Sequence, residues 1–234
     1  MQIFPRSLNK LPAIAAAAAA LGLGGAVFVV SYYFSPWNTQ VGYAPKQPVP
    51  YSHRLHAGEL GLDCRYCHAN VERASVAQIP PTQTCMNCHA VVQTKSAKLA
   101  PVRESWCSTL PVEKRTEESC PGVAKEKFAS LPADAPVPWV KVHALADHAY
   151  FDHSAHVTAG VGCESCHGRV DQMEVIRQVK PLSMGWCLEC HRNPGPHLRP
   201  LDKVTTMGYQ PASSGGAQPV REVNPPQHCS GCHR

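Results

Sequence analysis

Cys64-Arg65-Tyr66-Cys67-His68 sets a pattern that recurs at Cys85-Met86-Asn87-Cys88-His89, Cys163-Glu164-Ser165-Cys166-His167, Cys187-Leu188-Glu189-Cys190-His191 and Cys229-Ser230-Gly231-Cys232-His233. With 12 Cys and 13 His among 234 residues, chance would supply roughly 0.03 copies of C-x-x-C-H. The spacing is that of covalent haem c attachment. Two thiols on one turn reach the two vinyl groups of a porphyrin, and the next residue offers its imidazole to the iron. A zinc ribbon also uses C-x-x-C pairs, and a dithiol redox centre uses one. Neither calls for a histidine directly after every pair. Five covalent haems, one per motif, are therefore expected.

Composition agrees. The chain has 22 Pro, 16 Gly, 7% aromatic and 17% charged residues, too broken for long regular elements and short of material for a large hydrocarbon core. Five porphyrins would fill that gap. The expected fold is a multihaem c-type cytochrome, with short helices and coil wrapped around haems and little sheet. The formal net charge of +5 does not point to nucleic acid, because the 22 Lys and Arg are scattered singly. With two propionates per haem the charge falls to about 0 oxidised and about −5 reduced.

Outward from the motifs, the chain is a duplication. Tyr51-Ser52-His53-Arg54-Leu55-His56 aligns with Phe151-Asp152-His153-Ser154-Ala155-His156 at an offset of 100, and Cys64 with Cys163 at 99. Each half reads aromatic-x-His-x-x-His followed by two C-x-x-C-H motifs, an internal repeat. The expected organisation is a membrane anchor at 1–34, a linker at 35–50 and a first dihaem half at 51–100. An insertion at 101–138, a second dihaem half at 139–210 and a tail with the fifth motif at 211–234 follow.

Leu11 to Phe34 carry no charge, and 24 helical residues span about 36 Å, enough for a ~30 Å hydrocarbon core. Arg6 and Lys10 precede the run, and Tyr32, Tyr33 and Trp37 follow it. The positive-inside rule then places the N-terminus in the cytoplasm and the haem region on the periplasmic side. A cleaved signal peptide is the competing reading. The apolar run exceeds a signal h-region, so an uncleaved single-pass anchor in the bacterial inner membrane is expected.

Each motif histidine (His68, His89, His167, His191, His233) fills one axial position. Of the remaining eight histidines, His53, His56, His153 and His156 sit as i, i+3 pairs on one face of a turn and can address neighbouring irons. His143 is the next candidate ligand, and Met184 or Met173 could supply sulfur. His148, His197 and His228 read as bystanders. Electron-transfer haems have both axial positions filled, whereas catalysis at iron needs an open one. Nothing here forces an open site, so no catalytic residue is expected. Cys107 and Cys120 lie outside the motifs, on the side where disulfides persist, and are expected to pair.

Trp139-Val140-Lys141-Val142-His143, Tyr150 to His156, Cys163 to Met173 and Pro181-Leu182-Ser183-Met184-Gly185-Trp186-Cys187-Leu188-Glu189-Cys190-His191-Arg192 resemble the pentahaem cytochrome c subunit of bacterial alternative complex III. Each half also resembles the small bis-histidine multihaem cytochromes. The resemblance implies a membrane-anchored relay within a quinol-oxidising respiratory complex. Its neighbours would be an iron–sulfur subunit, a monohaem cytochrome and integral quinol-binding subunits, with a terminal oxidase or soluble carrier as acceptor. It also implies that His53 serves the Cys64–Cys67 haem and His153 the Cys163–Cys166 haem. His56 and His156 would then reach the Cys85–Cys88 and Cys187–Cys190 haems, leaving His143 or Met184 for the fifth. A multihaem reductase and a self-contained membrane-anchored quinol dehydrogenase are the alternatives.

Overall fold

Prolines and glycines keep every helix after the first short. In the computed structural model, which describes residues 5–34, 40–210 and 222–233, α1 covers Leu11–Tyr33. Then come α2 (Cys64–Cys67), α3 (Thr82–His89), α4 (Ala100–Ser108), α5 (His153–Ala159), α6 (Glu164–His167) and α7 (Met184–Arg192). Short 3-10 turns and coil join them, and among the described residues pairing is limited to two isolated bridges, Ala149 with His233 and Val161 with Leu198. Helix α1 starts with Pro12 in its first turn, where the missing N–H costs nothing. None of its residues is buried, and it is long and apolar enough to cross a membrane. Trp37, the side chain of Arg6 and the stretch 211–221 lie outside the described residues.

The two His-pair segments differ in local structure, at a point where the repeat is irregular. The His pair of the second half sits on α5, closed at its C-terminus by Gly160 in the left-handed conformation (φ 94°). The matching segment of the first half, Arg54–Glu59, is π-helical. From His to Cys the first half is one residue longer, eight positions from His56 to Cys64 against seven from His156 to Cys163. A π-turn is how a helix absorbs one inserted residue. The shift in offset from 100 to 99 is thus taken up between the His pair and the first motif.

The halves dock reciprocally. Arg54 N donates to Met173 O at 2.9 Å, and its counterpart Ser154 N donates to Ala74 O at 3.2 Å. Each acceptor lies six residues after the first C-x-x-C-H histidine of the opposite half. Glu174 accepts from Ser52 Oγ (2.8 Å) and Arg54 Nε (3.2 Å). The approach is close. A Cβ on Gly58 would fall 2.2 Å from Asp171 O, so this contact requires glycine.

Residues 40–50 run along the second half. Gly42 N donates to Gln178 O (2.8 Å), Gln178 N to Tyr43 O (3.0 Å), and the Gln47 amide clamps Val140 N and O at 2.9 Å.

The hydrocarbon core collects around the insertion. Val49, Met86, Val102 and Val137 form one buried cluster with Leu99, Trp106 and Trp139, and Cys107, Cys120 and Val123 form a second with Leu110, Phe128 and Leu131. Cys107 and Cys120 are disulfide-bonded, as their position outside the motifs suggested. Arg115 is buried beside the bridge. It donates to the carbonyls of Leu110, Phe128, Leu131 and Ser108 at 2.6–3.2 Å, which offsets the cost of burying a cation without a carboxylate partner.

Candidate haem-binding site

Two of the motifs begin at a side-chain cap, and the others are tied down by contacts to other parts of the chain. Asp63 caps α2, accepting from Arg65 N at 2.8 Å. It also receives the Arg65 guanidinium (2.9 Å) and the Thr205 hydroxyl (2.9 Å), which ties motif one to the second half. These donors hold the Asp63 carboxyl down at about 2, with Arg65 the largest cause. In α3, Met86 turns into the core, and Asn87 Nδ2 donates to the Tyr66 hydroxyl at 3.1 Å, linking motif two to motif one. Glu164, in the first turn of α6, pairs with the Arg199 side chain and accepts from Gly208 N at 2.6 Å. Ser183 caps α7. The fifth motif folds back on the strip that leads into α5, with Tyr150 N donating to Cys232 O at 2.7 Å.

The imidazoles are prepared for metal. A ring that donates Nδ1–H to a carbonyl keeps its Nε2 lone pair free. Nδ1 of His68 faces Gln78 O (2.7 Å), that of His89 Val92 O (3.1 Å), that of His191 Pro226 O (2.7 Å) and that of His233 His148 O (3.1 Å). Of the paired histidines, His56 Nδ1 faces Ser52 O (2.8 Å), His153 Nδ1 Ser75 O (2.8 Å) and His156 Nδ1 Asp152 O (2.6 Å). Burial, reinforced by neighbouring histidines, lowers His53 to about 4 and His167 to about 3, and burial also lowers His143 and His156. Neutral imidazole is the form that ligates.

Were two imidazoles to hold one iron from opposite sides, each at about 2 Å with its ring centre about 1.1 Å further back, their centroids would stand roughly 6.2 Å apart. His56 and His89 are 6.2 Å apart, His156 and His191 6.1 Å, and His153 and His167 6.4 Å with planes within 7°. His68 lies close enough to His53 to oppose its protonation. The aromatic residue ahead of each pair sets the ring planes. Tyr51 stacks on His56 (4.4 Å) and meets His53 edge-on (4.8 Å), while Phe151 stacks on His156 (4.5 Å) and meets His153 edge-on (4.7 Å).

The motif thiols follow one another in space in an order different from that of the chain. Cys67 lies within electrostatic reach of both Cys85 and Cys88. Cys64 and Cys163 are side-chain neighbours, and their interaction pushes the Cys163 thiol up. Cys166 senses Cys187 and Cys190, and burial holds its thiol at about 11. Cys187 senses Cys232. The spatial order is motif two, one, three, four, five. None of the ten motif cysteines is disulfide-bonded. Among the described residues, no three His, Cys, Asp or Glu side chains converge on one point as a bare metal ion would need.

The other candidate ligands are placed as follows. His143 meets the His167 ring edge-on at 4.6 Å, and its Nε2 is buried without a hydrogen-bond partner. Met173 is buried, and Met184, at the start of α7, is 65% exposed. His197 lines a surface cleft with Lys180, Arg199 and Tyr209. His148, which the spacing argument passes over, stacks on His233 with centroids 5.6 Å apart.

Comparison with known proteins agrees with this chemistry. Residues 35–138 match the class III cytochrome C family, and residues 149–234 match the family described as cytochrome c7 and related cytochrome c. The fold class is that of the multihaem cytochromes c, whose haems are covalently attached through such cysteine pairs. A curated relative, the multiheme cytochrome c subunit of menaquinone reductase from Nitratidesulfovibrio vulgaris strain Hildenborough, is 28% identical over 141 residues, covering 59% of this chain and 55% of the relative. The chain thus spans about half the length of the curated relative it matches.

Proposed function

We propose that this chain is a five-haem electron relay in a membrane-bound quinone–quinol oxidoreductase. The observation that carries the reading is the spatial order of the motifs. A continuous file of attachment sites crosses from one half to the other at Cys64 and Cys163, and the motif-two and motif-five sites form its two ends. Haem iron, when bound, cycles between ferric and ferrous and carries one electron. The polypeptide does the rest. Cys64, Cys67, Cys85, Cys88, Cys163, Cys166, Cys187, Cys190, Cys229 and Cys232 fix the porphyrins covalently. His68, His89, His167, His191 and His233 supply the proximal nitrogens, and backbone carbonyls orient most of those rings. His53, His56, His153 and His156 would hold the opposite faces of bound haems, which would leave no open position for substrate there. The chain conducts and does not itself catalyse.

In this reading α1 is an uncleaved anchor, and the haem region faces the periplasm. Electrons come from an iron–sulfur neighbour fed by quinol-binding membrane subunits. They leave to a monohaem cytochrome or a terminal oxidase, as in alternative complex III. The relative named as a menaquinone reductase subunit favours a second reading, the same relay run toward quinone. A file of haems conducts both ways, and the partners' potentials set the direction.

Purification from native membranes tests the proposal. Quinone-reactive integral subunits should co-purify, a quinol should reduce the haems within that complex, and every ferric haem should be low-spin. A high-spin ferric haem coupled to turnover of an oxyanion would replace the relay with a reductase.

A further inference from the structure

The fifth haem lacks a distal ligand in any pattern based on local spacing, and the structure supplies one. We infer that His148 is the axial ligand opposite His233, an assignment that rests on the haem-relay reading above. The His148 and His233 rings stack within 25° at a centroid separation of 5.6 Å. This is about half an ångström short of the roughly 6.2 Å that an intervening iron sets. His148 is exposed, so its ring is free to open by that amount. The backbone holds the two residues in register. His233 Nδ1 faces the carbonyl of His148 itself at 3.1 Å, Ala149 and His233 form an antiparallel bridge, and Tyr150 N donates to Cys232 O at 2.7 Å. His148 therefore both orients the proximal ring through its carbonyl and faces that ring with its own.

The competing candidates do not fit the position. His143 lies 4.6 Å from His167 at 83°. That is about 1.6 Å too close for a trans pair, and His153 already stands opposite His167 at 6.4 Å. Met184 projects from the first residue of α7 and is largely exposed. The cytochrome c7 match begins at residue 149, so His148 lies just outside the matched domain, in the strip that joins it to the insertion.

The test compares His148→Ala, His148→Met, His143→Ala and Met184→Leu in the full chain, read by haem count in denatured mass spectra, ferric EPR and redox titration. His148→Ala should retain five haems and convert one of the five to high-spin, and added imidazole should return it to low-spin. Should His148→Ala fail to mature, His148→Met still decides: one haem should stay low-spin with a raised potential while four are unchanged, because a thioether ligand favours the ferrous state. His143→Ala and Met184→Leu should leave all five low-spin with unchanged potentials. The inference is overturned if His148→Ala and His148→Met leave every haem as in wild type, or if His143→Ala or Met184→Leu makes one haem high-spin or shifts its potential. Failure of the relay reading looks different: the wild-type protein would then show a high-spin haem before any substitution.

Discussion

Replacing Gly58 with alanine should pry the two halves apart at the point where each holds the other's histidines. The new Cβ would lie 2.2 Å from the carbonyl oxygen of Asp171, whereas a carbon–oxygen contact settles near 3.3 Å. The backbone must therefore retreat by about 1.1 Å. The neighbouring bond from Arg54 N to Met173 O is 2.9 Å long, and the same retreat takes it to about 4 Å, beyond hydrogen-bond reach. Overpacking costs about 1–3 kcal/mol and the lost bond about 1. The stiffer unfolded chain returns up to about 1. The net destabilisation is about 1–4 kcal/mol, roughly a 5- to 900-fold shift in the unfolding equilibrium. Urea unfolding followed in the Soret band measures it. Gly185→Ala in α7, where a Cβ meets nothing within 4 Å, is the control and should be neutral or stabilising by up to about 1 kcal/mol. A Gly58→Ala midpoint at or above wild type would refute the reciprocal docking.

Three further outcomes are expected. Breaking the Cys107–Cys120 bridge with Cys120→Ser should cost about 3 kcal/mol by the loop-closure estimate. It should lower the urea midpoint of the chain while all five haems keep their spectra, and an altered haem spectrum would show that the insertion supports a haem directly. Phe151→Ala should disturb the ferric EPR signals of two haems, because that ring flanks both His153 and His156, whereas Phe151→Tyr, the residue type at position 51, should not. Asp63 is held at about 2 against an ordinary 3.8, chiefly by Arg65. The stability it adds is present above about pH 4 and lost as pH falls toward about 2. Wild type and Asp63→Asn should thus differ above pH 4 and converge near pH 2 on acid unfolding.

The attachment motifs, the repeat and the aromatic-x-His-x-x-His frame are local spacings, and a local spacing is legible in sequence. The π-turn falls where the offset between halves drops by one, between His56 and Cys64, but that offset by itself does not specify a π-turn. What spacing could not give is what the docking creates. Cys64 and Cys163 stand 99 residues apart and meet only because each half seats its histidines on the loop that follows the other's first motif. His148 and His233 are 85 residues apart and meet through an isolated bridge. Nothing near His148 in the chain marks it, and among eight unassigned histidines it carried the weaker local pattern. The internal bonding of the insertion is not legible in sequence, because its bonds run from Arg115 to four backbone carbonyls, and carbonyls have no sequence signature.

Iron-edge anomalous scattering from crystals of the haem-loaded chain tests the central claim most directly. It should give five iron peaks, each beside the Nε2 of one motif histidine, following one another in the order motif two, one, three, four, five, with the irons of motifs one and three adjacent. Fewer than five peaks, or an iron set apart from the file so that the path between Cys85 and Cys232 is broken, would contradict the relay.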